Sequence, residues 1–341
     1  MQELWKLMRQ AAGDGDEAPV FPPSGGEVTT TPGAGGAGGW GKIVVSEELQ
    51  RIVLINRGAP SSSPHIASTR NFTTWGTYNP TSVTLSDGCW SAALNKFVVT
   101  GNSGSAGATI QSSDGITWTT SPVVLYKLYQ IDWSPTLGLF ACAAIKTSGG
   151  ATVFLTSPDA VTWTERTTPA NLFPSTTGVG RMRWVPELAK FVWISQNNTN
   201  NLLTHTVTSP DGINWTVQTN TMRAGRDTVY SPELGRLVAV GFNAATPCIA
   251  YTPDGTTWTN SSSTAVQLYC VTWVPTLGKF KTALNTTSTL FYESTDGITW
   301  TSYDTTVAGP YYAMAYLPWM DRYAVTRSGT GGRAELIIYG V

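Results

Sequence analysis

The feature that most constrains this 341-residue chain is a seven-residue pattern, Ser/Thr-x-Asp-Gly-x-x-Trp, repeated along most of its length. It reads SSDGITW at 112–118, SPDAVTW at 157–163, SPDGINW at 209–215, TPDGTTW at 252–258 and STDGITW at 294–300. A worn copy, TRNFTTW, occupies 69–75. The tryptophans Trp75, Trp118, Trp163, Trp215, Trp258 and Trp300 follow one another at 43, 45, 52, 43 and 42 residues. Asp-Gly between β-forming residues is a strong hairpin signal, because both residues accept positive φ. Ser/Thr and Asp side chains bind the backbone N–H groups left open in such a turn. The aspartates Asp114, Asp159, Asp211, Asp254 and Asp296, with the paired tryptophans, are therefore expected to be structural.

A second pattern alternates with the first: WSPTLGLF at 133–140, WVPELAKF at 184–191, YSPELGRL at 230–237 and WVPTLGKF at 273–280. Weaker copies are VSEELQRI at 45–52, WSAALNKF at 90–97 and YLPWMDRY at 316–323. Each pattern makes one hairpin, so one unit is four strands. Units of about 40–45 residues with four strands each predict a β-propeller. Seven copies of the second pattern against six of the first predict seven four-stranded antiparallel blades over residues 40–341, a six-bladed ring being the runner-up. The last unit stops after three strands. Residues 28–32, VTTTP, match the outer-strand segment WTTSP at 118–122, so 27–31 are expected to supply the missing strand.

Composition narrows the function. Charged residues are only 13% and the net charge is −1, which points away from nucleic acid and anionic membranes. The 4 cysteines (Cys89, Cys142, Cys248, Cys270) lack metal-ligand spacing, and with 2 histidines a Cys/His zinc site is not expected. No apolar run is long enough to span a bilayer, so no membrane insertion is expected. Residues 36–42 read G-x-x-x-x-G-K, but Ile43 stands where a phosphate loop needs Ser or Thr, and no cofactor is implied.

The repeats resemble the Asp-box (BNR-like) repeats of sialidase-type propellers. They are still more similar to the SPDGxxWT repeats of structural and tail-associated proteins of tailed bacteriophages. That resemblance implies a non-enzymatic structural or accessory protein of the capsid, neck or tail, located in the virion, displaying a propeller for host-surface adhesion or assembly. The alternative implied is a sialidase-like glycoside hydrolase or a free lectin-like propeller. Sialidases carry three arginines that clamp a carboxylate, a Tyr nucleophile backed by Glu, and an acid/base Asp. The sialidase box, however, has a residue between Asp and Gly, whereas Asp114-Gly115 and Asp211-Gly212 are adjacent here. Arg181, Arg183, Arg223 and Arg226, with Phe173 in the longest inter-repeat loop, are the candidate ligand-face residues. The basic residues recurring in the second pattern (Arg51, Lys96, Lys190, Arg236, Lys279, Arg322) read as solvated strand-end charges. Variable loops rich in Ser, Gly, Asn and Thr lie at the opposite end from both hairpins, and suit either adaptable recognition or plain solvent exposure.

Ahead of the ring, residues 13–39 have the Gly/Pro-rich composition of a linker. Leu4, Trp5, Leu7 and Met8 fall on one face of a predicted short amphipathic helix over 1–12. This arm, residues 1–26, is the expected docking segment for other virion proteins, and a host glycan or protein is the expected partner of the propeller.

Overall fold

The computed structural model describes residues 26–30, 40–57, 64–80, 82–169, 172, 180–196, 204–218, 225–241, 248–262, 267–328 and 334–340. The expectations for Leu4, Trp5, Leu7 and Met8, and those for Phe173 and Arg223, lie outside these residues.

Strand β1 (Gly26–Thr30) precedes a succession of sheets. The first holds β2 (Trp40–Ser46), β3 (Arg51–Asn56), β4 (Ile66–Thr69) and β5 (Gly76–Tyr78). The second holds β6 (Thr84–Ser91), β7 (Lys96–Ser103), β8 (Ala106–Ser112) and β9 (Thr119–Val123). The third comprises β10 (Tyr126–Ser134), β11 (Leu139–Lys146), β12 (Thr152–Ser157) and β13 (Thr164–Arg166). The fourth is β14 (Gly180–Val185), β15 (Lys190–Gln196), β16 (Thr204–Ser209) and β17 (Thr216–Gln218). In the fifth are β18 (Asp227–Ser231), β19 (Arg236–Val240), β20 (Ile249–Thr252) and β21 (Thr259–Asn260). The last sheet is wider: β22 (Leu268–Val274), β23 (Lys279–Ser294), β24 (Thr301–Leu317), β25 (Arg322–Ser328), β26 (Ala334–Tyr339) and then β1.

The seven-bladed expectation is thus corrected: the described strands form a propeller of six sheets. The reason lies in β23 and β24, of 16 and 17 residues. From the last Ser-x-Asp-Gly turn to the last second-pattern turn the chain stays extended throughout. Strand β24 pairs first with β23, through Thr301 to Asp304 and again at Gly309 and Pro310, and then with β25, from Tyr311 to Leu317. Counting turns therefore separates two units that hydrogen bonding joins. The first strand of each of the first five sheets, with β22 and the later half of β24, forms the inner circle, and β24 packs against β2 to complete it. At the outer edge of the wide sheet β1 runs antiparallel to β26, Gly26 opposite Tyr339 and Thr30 opposite Glu335.

The Ser-x-Asp-Gly turn works differently from a positive-φ pair. Only the Gly position is left-handed, at φ 72° in Gly115 and 71° in Gly212, and Ala160 is held there at 62°. The aspartate acts through its side chain: Asp114 Oδ1 accepts from the N–H groups of Ile116 (2.7 Å) and Thr117 (2.8 Å). Ser112 Oγ accepts from Gly115 N–H at 2.7 Å. The worn copy keeps the geometry, with Asn71 Oδ1 accepting from Thr73 and Thr74 and Phe72 at φ 62°.

Slight burial pushes these carboxyls up, but the converging N–H donors outweigh it, so Asp114, Asp159, Asp254 and Asp296 lie below the ordinary range and Asp211 falls to about 2. Since the folded pKa is depressed, the unfolded chain binds more protons between the two values, and stability is lost as pH falls from about 4 toward 2. Denaturation midpoints should be level above about pH 5 and decline steadily below about pH 4. Asp211→Asn should keep the turn, as Asn71 does, and flatten part of that slope. Asp211→Ala should cost about 1–2 kcal/mol at neutral pH. A pH-independent midpoint would contradict this account.

The tryptophans cement neighbouring sheets. Trp215 stacks on Phe154 of the preceding sheet, with centroids 4.0 Å apart and planes 8° from parallel. Trp118 stacks on Tyr78 in the same sense at 6.3 Å. The recurring basic residues correct the sequence reading too, because several reach the next sheet instead of solvent. Lys96 Nζ donates to Asp159 O and Lys190 Nζ to Asp254 O, both at 3.1 Å, and Arg236 Nη1 donates to Asp296 O. Each such cation ties one hairpin to the Asp turn beside it.

Candidate functional site

Five of the inner strands break register at the same level. The shifts fall between Trp40 and Lys42, Leu85 and Asp87, Leu128 and Ile131, Leu268 and Cys270, and Tyr311 and Ala313. A bulge leaves one residue unpaired and re-aims its side chain. The residues so displaced include Gly41, Ser86, Tyr129, Tyr269 and Tyr312, and all five line one cavity of about 630 Å³. Arg57, Lys127, Arg181 and Arg226 complete its polar wall. Because both recurrent hairpins lie at the far end, this mouth opens at the end of the ring that carries the β7–β8 connection, whose Gly104 lines it.

The wall is braced from behind. Asn102 Nδ2 donates to Leu128 O (2.9 Å) and its Oδ1 accepts from Leu128 N–H (2.7 Å), pinning the bulged part of β10. Arg57 Nε donates to Ser86 O at 2.6 Å. Gly41 leaves room for Arg57, since a Cβ there would come within 2.5 Å of Arg57 Cδ and force that side chain to move. The Arg226 guanidinium lies 4.4 Å from the Tyr269 ring centroid, a cation–π contact. Burial raises the Tyr129 and Tyr312 phenols, so both hydroxyls stay protonated at neutral pH.

Below the mouth, a channel of about 320 Å³ follows the axis and is crossed by buried charge. Arg181 on β14 donates from Nη1 to Asp87 of β6 (2.9 Å) and from Nε to Asp227 of β18 (2.8 Å). Lys42 Nζ lies 3.2 Å from the same Asp87 oxygen. The carboxylates also bind the next inner strand: Asp132 accepts from Trp184 N–H at 2.8 Å and Asp227 from Val271 N–H at 3.1 Å. Burial pushes the Asp87 carboxyl up, yet Lys42, Arg181 and Arg57 outweigh it and hold it near 2. Burial likewise raises Asp132, only partly opposed by Arg183. For Arg181 burial acts downward, and Asp227 and Asp87 more than reverse it, so its charge is secure.

Of the sequence candidates, Arg181, Arg183 and Arg226 do gather around the axis, but in different roles. Arg181 is held by two carboxylates, Arg183 lines the channel, and Arg226 stands at the mouth. The repeat aspartates lie at the opposite end. Sequence reasoning missed Lys42, Arg57, Asp87, Lys127, Tyr129, Asp132, Asp227, Tyr269 and Tyr312. A signal for the channel was present: Lys42, Asp87, Arg181 and Asp227 each stand three residues before the residue that opens the second pattern, and Asp132 and Arg183 stand one residue before it. Charged residues recurring at these alternate positions of the inner strands mark the axis-facing side. Among the described residues no group of three or more His, Cys, Asp or Glu side chains could hold a metal ion. Nor is any helix among them long and apolar enough to cross a membrane.

No protein-family model matches the chain, and no curated protein matches it. Solved structures do. A structure described as YCF48 bound to D1 peptide matches with TM-score 0.60 and 14% identity, over 96% of this chain and 98% of that one. A chain of a mitotic checkpoint complex matches with TM-score 0.64 and 11% identity, over 97% of each. The WD40 β-propeller domain of Doa1 matches with TM-score 0.59 and 8% identity, over 92% of this chain and 97% of that one. At such identities the likeness shows the fold, a β-propeller, and nothing of the activity.

Proposed function

We propose that this propeller is a non-enzymatic recognition module that holds its ligand in the mouth of the ring. The observation that carries this reading is the row of bulges at one level of the inner strands, which turns tyrosines and a serine into a cavity at the variable-loop end. Bulges at a common level serve no pairing purpose and are typical of places where a sheet re-aims side chains for binding. Among the described residues, those lining the mouth include no Asp or Glu, whereas hydrolysis of a glycoside ordinarily draws on two carboxyl groups or on a Tyr–Glu pair with an acid. Ligand retention without bond cleavage suits this wall better. The YCF48 structure, with its bound D1 peptide, supports the idea that a chain of this fold can hold a ligand.

The repeats supply the setting. Their similarity to SPDGxxWT repeats supports placement in a tailed-phage particle, where residues 1–26 dock on other virion proteins and the mouth faces the host surface. The test is adsorption of the labelled full chain to envelopes from a panel of bacteria. Saturable binding to at least one strain is expected, abolished by Lys127→Glu with Arg226→Glu while the unfolding midpoint holds. Adsorption indifferent to that pair, or absent from every strain, would overturn the reading.

A further inference from the structure

Charge around the axis is unbalanced. Among the described residues, six cations (Lys42, Arg57, Lys127, Arg181, Arg183 and Arg226) share the mouth and channel with three carboxylates, Asp87, Asp132 and Asp227, in a chain of net charge −1. The carboxylates all belong to the channel level, where they engage Lys42, Arg181 and backbone N–H groups. At the mouth, Lys127 has no carboxylate within ion-pair distance among the described residues, and Arg57 approaches Asp87 only to 3.9 Å. Burial lowers the Arg57 pKa; Asp87 opposes that, and Arg181 and Arg226 add repulsion between like charges. An anion seated between Arg57, Lys127 and Arg226 would relieve this repulsion, and a low-dielectric wall strengthens the attraction.

The size of the imbalance bears on the kind of anion. One carboxylate brings a single negative charge. A phosphomonoester brings about −1.5 to −2 and three acceptor oxygens, enough to engage two guanidinium groups and an ammonium together. Beside the cations, Tyr129, Tyr269 and Tyr312 offer half-buried ring faces and hydroxyls, a mixture suited to the alternating C–H and O–H surface of a pyranose. The cavity, at about 630 Å³, is within the range of small-ligand sites.

We propose that the mouth binds a phosphorylated sugar residue of a surface glycan, with Arg57, Lys127 and Arg226 around the phosphate and the tyrosines against the ring. This rests on the mouth being the recognition site and adds the chemistry of what it recognises. The probe is glucose 6-phosphate, titrated calorimetrically into the full chain beside glucose, glucuronic acid and a hexaglutamate peptide. Saturable one-to-one binding of glucose 6-phosphate is expected, weakened by added salt, at least about tenfold tighter than glucuronic acid, and undetectable for glucose. Lys127→Gln and Arg226→Gln should each weaken it by about tenfold or more, as expected for charge-assisted hydrogen bonds. Glucuronic acid or hexaglutamate binding as tightly, or affinity unchanged in Lys127→Gln, would overturn the proposal. So would the absence of saturable binding. If envelope adsorption depends on Lys127 and Arg226 while glucose 6-phosphate neither binds nor competes, the ligand class is wrong and the recognition site stands. If adsorption ignores the mouth variants, the recognition reading itself fails.

Discussion

Removal of residues 1–30 is expected to lower the unfolding midpoint by on the order of ten degrees, while removal of residues 1–25 leaves it nearly unchanged. The two truncations differ only by β1. In the intact chain β1 lies against β26 in antiparallel register, five residues opposite five. A net contribution of about 1 kcal/mol for each of roughly five backbone hydrogen bonds makes the strand worth about 5 kcal/mol. The strand also joins the first part of the chain to the last, so the ring is fastened by residues far apart in sequence. Without β1, the N–H and C=O groups of β26 become an open edge, and an unprotected edge invites pairing with another molecule. The shorter protein should therefore associate in a concentration-dependent way, seen by sedimentation, as well as melt early. Equal midpoints for the two truncations would show that β1 contributes nothing to the ring.

Arg181→Met is expected to cost about 3–5 kcal/mol, the largest effect of any single substitution around the axis. Its guanidinium joins Asp87 and Asp227, which stand on the inner strands of the second and fifth sheets. Methionine fills comparable space but leaves both carboxylates short of a cation in a buried setting, and unpaired buried charge is what makes such deletions expensive. Asp87 retains Lys42 at 3.2 Å, which places the cost toward the lower end of that range. Asp227 has no such reserve among the ion pairs of the described residues. Arg181→Met combined with Asp227→Asn should therefore recover part of the loss, with a coupling of about 1 kcal/mol or more in a double-mutant cycle. Loss of less than about 1 kcal/mol in Arg181→Met, or strict additivity of the pair, would mean the bridge is not what joins these strands.

The propeller was legible because its information is local. A Ser-x-Asp-Gly turn satisfies its own N–H groups within four residues, so the pattern is written in consecutive positions such as 112–118. Even the altered copies are readable once the chemistry is known, Asn71 accepting in place of Asp and Ala160 tolerating the left-handed φ. The count of sheets was not legible in the same way. It depends on whether the chain between two turns stays hydrogen-bonded, and β24 does so through Gly309 and Pro310, where turn residues would suggest a break. The recurring cations were misread because their partners sit in another repeat, 60 or more residues away, as Lys96 with Asp159 and Lys190 with Asp254.

What the amino-acid order alone determined is the repeating four-strand unit, the placement of both hairpins at one end, and the variable loops at the other. These follow from turn chemistry and side-chain alternation, which act over a few residues. Only the tertiary structure decided that Lys42, Asp87, Arg181 and Asp227 form one buried network, and that Tyr129, Tyr269 and Tyr312 share a cavity. Residues so distant meet because ring closure brings every inner strand to the same axis, and because a bulge, invisible in the sequence, turns Tyr129, Tyr269 and Tyr312 toward the mouth. Their joint charge exists only in that circle, where low dielectric and close approach turn scattered single residues into a site.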